Sequence, residues 1–471
     1  MTGVGIRERG ALLLGRGAGA AVRRLGRGGG TALPGLVAGK LAPGLLESCA
    51  RQLGRGVITV TGTNGKTTTS HLLAAAARIA GWDPLANRSG SNLERGVVST
   101  FVAEANTTGA IPRGADRVGV IELDEAVWPR LLPRLHPRVA VFLNLFRDQL
   151  DRYGEVDSVA EGWQRALATH AAPLTLVLNV DDPSVAALAE AHRGEVVGFG
   201  VEDSSVALSA AEHASDARFC RCGATYRYDA VFMGHVGAWR CPGCGRARPT
   251  PQVAARRIRL DVDSTRFDLV VAGVTAEVTL PLAGLYSVYN ALAAAAGAHA
   301  LGLPFEATVR ALAESGPAFG RQERFDLEGR TVRLLLAKNP TGLNEVFRAL
   351  RALPGPATLL ALLNDGIQDG QDVSWIYDAD VERIADLPLH LVVSGDRADD
   401  LALRCALAGL APRTVDAALS RALDAALAAT PSGGRVEVVA TYTAMLAIRA
   451  LLAARTGAQP YWAAVDGEGA S

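Results

Sequence analysis

A lysine followed by three threonines, within Val57-Ile58-Thr59-Val60-Thr61-Gly62-Thr63-Asn64-Gly65-Lys66-Thr67-Thr68-Thr69, is the segment of this chain best suited to chemistry. A β-branched apolar strand runs into a turn of Gly and Thr, and the Ala-rich stretch from Ser70 to Ala80 reads as the helix that follows. Backbone N–H groups at a helix N-terminus face phosphate oxygens, Lys66 adds a point charge, and the Thr67 hydroxyl suits Mg2+. The segment implies ATP binding, with Gly62, Thr63, Asn64, Gly65, Lys66, Thr67 and Thr68 as the cradle. It departs from the strict G-x-x-x-x-G-K-[ST] pattern, whose first glycine would fall on Val60. Lysine is otherwise scarce: among 48 basic residues only Lys40, Lys66 and Lys338 are lysines.

Three further groups carry chemistry. Glu122 ends an apolar run and is followed by Leu123-Asp124-Glu125; a carboxylate at the C-terminal end of a parallel strand beside a phosphate loop is placed to hold Mg2+. Asn144 and Asp148 follow the next apolar run and belong at the same sheet edge, although acids at a helix N-terminus explain them equally well. Cys220, Cys222, Cys241 and Cys244 cluster as C-x-C and C-x-x-C, which favours tetrahedral, structural Zn2+. A three-ligand site completed by another group, or no metal, remains open from the spacing alone. Asp365, Asp369, Asp372 and Asp378 crowd one short loop, where carboxylates orient other groups or simply make turns.

These residues need a scaffold, and the apolar runs supply one. Val57 to Val60, Val118 to Glu122, Val139 to Leu143 and Leu174 to Asn179 alternate with Ala/Leu-rich helical stretches, which predicts a mostly parallel, doubly wound α/β sheet. A second α/β unit is predicted from Val332 to Ala337, Ala357 to Leu363, His390 to Ser394 and Val436 to Ala440. The resulting division is an N-terminal extension over 1–54, a central nucleotide-binding domain over 55–325 with a cysteine-bearing insertion over 216–250, and a C-terminal domain over 326–471. With 471 residues, 49% hydrophobic and 20% charged, the composition is that of a folded multidomain protein. Acidic and basic residues balance at 48 each, so no global field directs the chain to nucleic acid or an anionic membrane. Arg16 interrupts the only leucine run near the start, so no signal peptide or membrane span is expected and the expected location is cytoplasmic.

Thr61 to Thr67, Glu122, Asn144 to Asp151, Asn290 in Leu285-Tyr286-Ser287-Val288-Tyr289-Asn290, and Gly320-Arg321-Gln322-Glu323 together resemble the Mur ligases. That superfamily joins amines to carboxylates through an acyl phosphate. The resemblance implies a Mur ligase-like central ATPase domain, Lys66 on the β/γ-phosphates, Thr67 and Glu122 on Mg2+, and Asn290 and Arg321 near adenine or phosphates. Three departures narrow the branch. Asp148-Gln149 stands where Asp-His is usual, no lysine exists between Lys66 and Lys338 to be carbamylated, and about fifty residues precede the phosphate loop where a UDP-sugar-binding domain needs roughly a hundred.

Those departures, with Gly28-Gly29-Gly30-Thr31, Asn87 to Asn92, Lys338-Asn339-Pro340-Thr341-Gly342 and Asn364 to Trp375, resemble the MurT family, the synthetase subunits of lipid II isoglutaminyl synthase. This resemblance implies amidation of the α-carboxylate of D-glutamate in the lipid II stem peptide. ATP, Mg2+ and a structural zinc ribbon are implied, as is a separate GatD-like glutaminase, with peripheral contact at the inner face of the membrane. An aspartate of the 365–378 loop is expected to serve the glutaminase, Asp369 and Asp372 ahead of Asp365. Cys49 and Cys405 lack the tight Gly-flanked turn that exposes a nucleophile, which argues for the second chain on chemical grounds. The alternative is an amino-acid ligase of the folylpolyglutamate synthase type.

Overall fold

The computed structural model describes residues 5–24, 32–87, 91–148, 156–209, 212, 215–316, 322–353, 355 and 357–458. Eleven strands precede residue 281: β1 (Val57–Thr61), β2 (Asp83–Ala86), β3 (Arg117–Glu122), β4 (Val139–Phe142), β5 (Thr175–Asn179), β6 (Val196–Val201), β7 (Arg227–Met233), β8 (Val236–Arg240), β9 (Val253–Leu260), β10 (Thr265–Val271) and β11 (Val274–Leu280). Nine of them form one sheet in the order β11-β10-β9-β6-β5-β4-β1-β3-β2. Parallel pairing runs from β2 through to β9, and β9, β10 and β11 continue it as an antiparallel meander.

The strand before the phosphate loop is central, paired with β3 on one side and β4 on the other. All five of its residues are buried, as expected of a parallel strand covered on both faces. Its alternation divides two cores. Ile58 and Val60 pack with the helices Lys66–Ile79 and Leu285–Leu301, whereas Val57 packs with Phe142, Trp128, Trp163 and the N-terminal helices. Trp128 Nε1 donates to Thr59 Oγ1 at 3.1 Å, satisfying a buried hydroxyl on that second face.

The described residues of the first fifty are part of this core. Helices Ile6–Arg24, Leu33–Leu41 and Leu45–Ala50 bury Leu12, Ala38, Leu45, Leu46 and Cys49 against the sheet's second layer. Burial first, and Glu8 second, push the Cys49 thiol up to about 12, and burial pushes Cys405 up to about 11. Neither is an available nucleophile at neutral pH.

The second sheet takes β12 (Arg324–Leu327), β13 (Arg330–Leu336), β14 (Ala357–Leu362), β15 (Leu389–Ser394), β16 (Thr414–Val415) and β17 (Arg435–Ala440) in the order β12-β13-β17-β14-β15-β16. Only β12 and β13 pair antiparallel. Arg333 on β13 ties the two sheets together. Its Nε donates to Glu437 Oε2 at 2.7 Å and its Nη1 to the Val262 carbonyl at 2.7 Å, while Asp263 also holds Arg324 and Arg435. Both Arg333 and Glu437 are almost wholly enclosed, so each neutralises a charge that burial alone would forbid. Arg333→Met, which strands Glu437, is expected to cost about 3–5 kcal/mol in chemical denaturation, and Arg333→Met with Glu437→Leu to recover most of that loss.

Candidate functional site

Sharp backbone turning begins the site. Gly62 (φ +133°) and Gly65 (φ +92°) adopt conformations that L side chains rarely hold, and a Cβ on Gly65 would lie 2.0 Å from Asn290 Oδ1. The helix Lys66–Ile79 starts immediately after Gly65 with no side-chain cap, leaving its first N–H groups for a ligand. Reciprocal amide bonds fix the loop to the end of β4: Asn64 N donates to Asn144 Oδ1 at 2.9 Å, and Asn144 Nδ2 donates to the Asn64 carbonyl at 3.0 Å. Thr63 Oγ1 accepts from Phe146 N at 3.0 Å.

Lys66 is buried. Its ammonium donates to the Gly62 carbonyl at 2.5 Å and to Glu125 Oε2 at 3.0 Å. Burial works against its charge, but Glu125, Glu122, Asp124 and Asp148 outweigh burial and leave its pKa raised, so the ammonium persists at any physiological pH. Thr67 Oγ1 donates to Glu122 Oε2 at 2.9 Å, which brings the two expected Mg2+ ligands together. Asn87 fixes the strand end that carries Glu122, accepting from its backbone N–H at 2.8 Å and donating to its carbonyl at 2.9 Å.

The second domain completes the wall. Lys338 pairs with Asp148, and the amide of Asn339 exchanges bonds with that of Asn64, Nδ2 donating to Asn64 Oδ1 at 3.0 Å. Asn339 also caps the helix Pro340–Arg351 by accepting from Gly342 N at 2.8 Å. Burial pushes Asp148 up, against the pull of Lys338. Between the domains lies a cleft of about 350 Å3, lined by the charged Lys66, Glu122, Asp148 and Lys338 and by the larger apolar or aromatic Met233, Leu282, Tyr286 and Leu335.

The structure thus gathers Gly62 to Thr68, Glu122 and Asn290 at one place, as the sequence reading required. Arg321 and Gln149 lie outside the described residues. Lys338, Asn339, Glu125 and Glu345 stand at the cleft without having been assigned roles from sequence; for Lys338 the signal available was lysine scarcity itself. The loop aspartates separate. Asp369 is buried and accepts from Thr443 N at 2.9 Å and from the Thr443 hydroxyl, a tether to the start of the helix Tyr442–Thr456. Asp365 pairs with Arg397 at 3.1 Å, and Asp372 is exposed, accepting from Ser374 N at 2.8 Å.

The four cysteines converge. Cys220 and Cys244 sulfurs are 3.6 Å apart, Cys222 and Cys241 sulfurs 3.4 Å, and all four lie within 4.8 Å of one another. A tetrahedron with Zn–S bonds of about 2.3 Å has edges of about 3.8 Å, so the set fits zinc. The C-x-C spacing is absorbed by the turn at Gly223 (φ +86°), which mirrors Gly245 (φ +78°) after Cys244. Trp239 Nε1 donates to the Val180 carbonyl at 2.9 Å and docks the β7–β8 hairpin on the end of β5.

Residues 60–235 match the family described as Mur ligase middle domain, and residues 336–445 match that described as MurT ligase C-terminal. The chain is 32% identical over 447 residues, 94% of its length and 96% of the relative's, to a protein of Streptococcus pneumoniae described as the MurT subunit of glutamine-hydrolysing lipid II isoglutaminyl synthase. The chain belongs to the MurT family. A MurT subunit of Staphylococcus aureus is 31% identical, with 80% of this chain and 83% of that one covered. Among solved structures, MurF from Acinetobacter baumannii (TM-score 0.63, 21% identity, 89% of this chain and 80% of that one) and a pseudomurein peptide ligase type C from Methanothermus fervidus (TM-score 0.63, 22% identity, 84% and 78%) share the Mur ligase fold. The expected α/β architecture is therefore the observed one, Mur ligases being ATP-dependent ligases. Among the described residues no helix is long and apolar enough to cross a membrane.

Gly65→Ala meets both the positive φ and the Asn290 amide, and for the conformational strain alone is expected to destabilise this MurT-family chain by about 1–3 kcal/mol. Adding Asn290→Gly should restore part of the loss in thermal denaturation by removing the collision.

Proposed function

We propose that this chain is the ATP-dependent synthetase subunit of a glutamine amidotransferase acting on lipid II. The observation that carries the reading is the pairing of the Lys66–Thr67–Glu122 cradle with the second-domain Lys338–Asp148 contact in one cleft, in a chain whose relatives are described as isoglutaminyl synthase subunits. In this reading an oxygen of the D-glutamate α-carboxylate attacks the γ-phosphorus of ATP, ADP leaves, and an acyl phosphate forms. Ammonia then attacks the acyl carbon, phosphate leaves, and the nitrogen loses a proton to give D-isoglutamine. Lys66 holds and neutralises the β/γ-phosphates, and the oxygen donors of Thr67 and Glu122 suit Mg2+, which would offset charge between the phosphates. Lys338 adds a second cation on the opposite wall.

Ammonia is supplied by a GatD-like glutaminase, because the deeply buried Cys49 and Cys405 provide no nucleophile for glutamine hydrolysis here. Of the loop aspartates we assign Asp372 to such a partner, since Asp369 holds Thr443, Asp365 pairs with Arg397 and Asp378 pairs with Arg147. Zn2+ held by Cys220, Cys222, Cys241 and Cys244 is structural, as a closed thiolate set leaves no position for water. Action at the inner face of the membrane follows from a lipid-linked substrate.

Co-expression with a neighbouring glutaminase and mass spectrometry of lipid II should show the loss of about one dalton that replacing a hydroxyl with an amine produces. Lys66→Ala is expected to lower turnover by at least a hundredfold. Hydrolysis of glutamine by the purified chain alone would reject the need for a separate glutaminase, and free amino acids outcompeting ammonia would reject the reading in favour of an amino-acid ligase. Elemental analysis should find stoichiometric zinc, lost in Cys241→Ser together with thermal stability.

A further inference from the structure

One carboxylate in the cleft has no role in the chemistry above. Glu345 sits on the helix Pro340–Arg351, six residues beyond Asn339, and is 4% exposed. Neither of its oxygens has a hydrogen-bond partner among the described residues, although its side chain lines the cleft. The nearest cation, Arg348, stands 3.8 Å away, too far to donate, and its two terminal nitrogens are directed at the carbonyls of Phe232 and Val206. Burying a carboxylate without a hydrogen-bond donor costs free energy that the attraction of Arg348 and Arg383 returns only in part.

The surroundings indicate what returns the rest. Glu345 lies near enough to Tyr286 and Tyr289 to raise both phenols, which are already raised by their own burial. Met233, Leu282, Leu335 and Val346 line the same cleft and give it apolar wall beside the phosphate cradle at Lys66. Such a pocket suits a planar base with a few polar groups at fixed points. Phosphates and peptide carboxylates would be repelled by Glu345, whereas the exocyclic amine of a purine and the hydroxyls of a ribose are neutral donors that a carboxylate accepts.

We propose that Glu345 reads the nucleoside of the bound nucleotide, accepting a hydrogen bond from a donor on the base or the ribose. The inference rests on the nucleotide-binding part of the function proposed above. Burial, which outweighs Arg348, holds the Glu345 carboxyl near 7, so the empty protein resists its ionisation and a donor in the pocket favours it. Glu345 then sets both affinity and nucleotide preference, while Lys66 supplies a grip common to any polyphosphate.

Calorimetric titration of the full chain with Mg–ATP, its purine riboside analogue lacking the 6-amino group, 2′-deoxy-ATP and inorganic tripolyphosphate tests this. A hydrogen bond to a charged acceptor corresponds to roughly a ten- to hundredfold weakening of ATP in Glu345→Leu, a smaller one in Glu345→Gln, and none for tripolyphosphate. The wild type should bind one of the two analogues correspondingly less well than ATP, and Glu345→Leu should lose that discrimination; which analogue fails tells whether the donor is on the base or on the sugar. Nucleotide-free variants should melt no lower than the wild type. Equal ATP affinity in wild type and variants, an equal loss for tripolyphosphate, wild-type indifference to both analogues, or a lower nucleotide-free melting temperature in both variants would each overturn the assignment. Failure of the wild type itself to bind ATP would instead reject the function on which it rests.

Discussion

Two ammonium groups facing a set of carboxylates across a narrow gap are the constraint around which this molecule is arranged. Lys66 reaches its place from the strand–turn–helix of the first domain and Lys338 from the second, and between them stand Glu122, Asp124, Glu125 and Asp148. In a medium of low polarity neither sign would be tolerated alone. The balance requires both domains to be present and correctly docked, which gives a physical purpose to the Arg333–Glu437–Asp263 cluster, the Arg348 bonds to Phe232 and Val206, and the 2.9 Å Arg383–Glu212 pair. A polyphosphate entering the gap brings enough negative charge to compete for both lysines, so domain docking and ligand charge share one set of partners.

The parts of the site that were legible in the sequence are those whose chemistry is local. A strand, two glycines, a lysine and a threonine within thirteen residues identify the phosphate loop, because the backbone geometry and the ligands come from the same turn. The parallel strands β1, β3, β4, β5, β13, β14, β15 and β17 were legible as well, being largely buried and therefore continuously apolar, whereas half-exposed strands such as β9 and β11 were not read. What was not legible depends on distance along the chain. Asn64 and Asn339 are 275 residues apart, and no local pattern announces their contact. Glu125 reads as a loop acid until the fold places Lys66 beside it. Asp365, Asp369 and Asp372 are equivalent as letters, and only burial distinguishes the tether from the exposed acid.

The N-terminal fifty residues show the same limitation from the opposite direction. Their Gly- and Arg-rich composition reads as a lead-in, yet Leu12, Leu45, Leu46 and Cys49 fill a layer of the central sheet shared with Trp128 and Trp163. The two tryptophans contact Phe142, the last residue of β4, edge to face with ring centroids 4.8 and 4.9 Å apart. A segment that reads as a lead-in thus shares the core of the central sheet.

The distribution of lysine has a consequence for how the molecule would look to an amine-directed reagent. Besides the chain terminus it offers one exposed amine, Lys40, and two that face each other's carboxylates inside the cleft. The other forty-five basic residues are arginines and stay silent to acylation. Two of these four amines therefore report on the cleft, and Lys40 serves as a built-in reference.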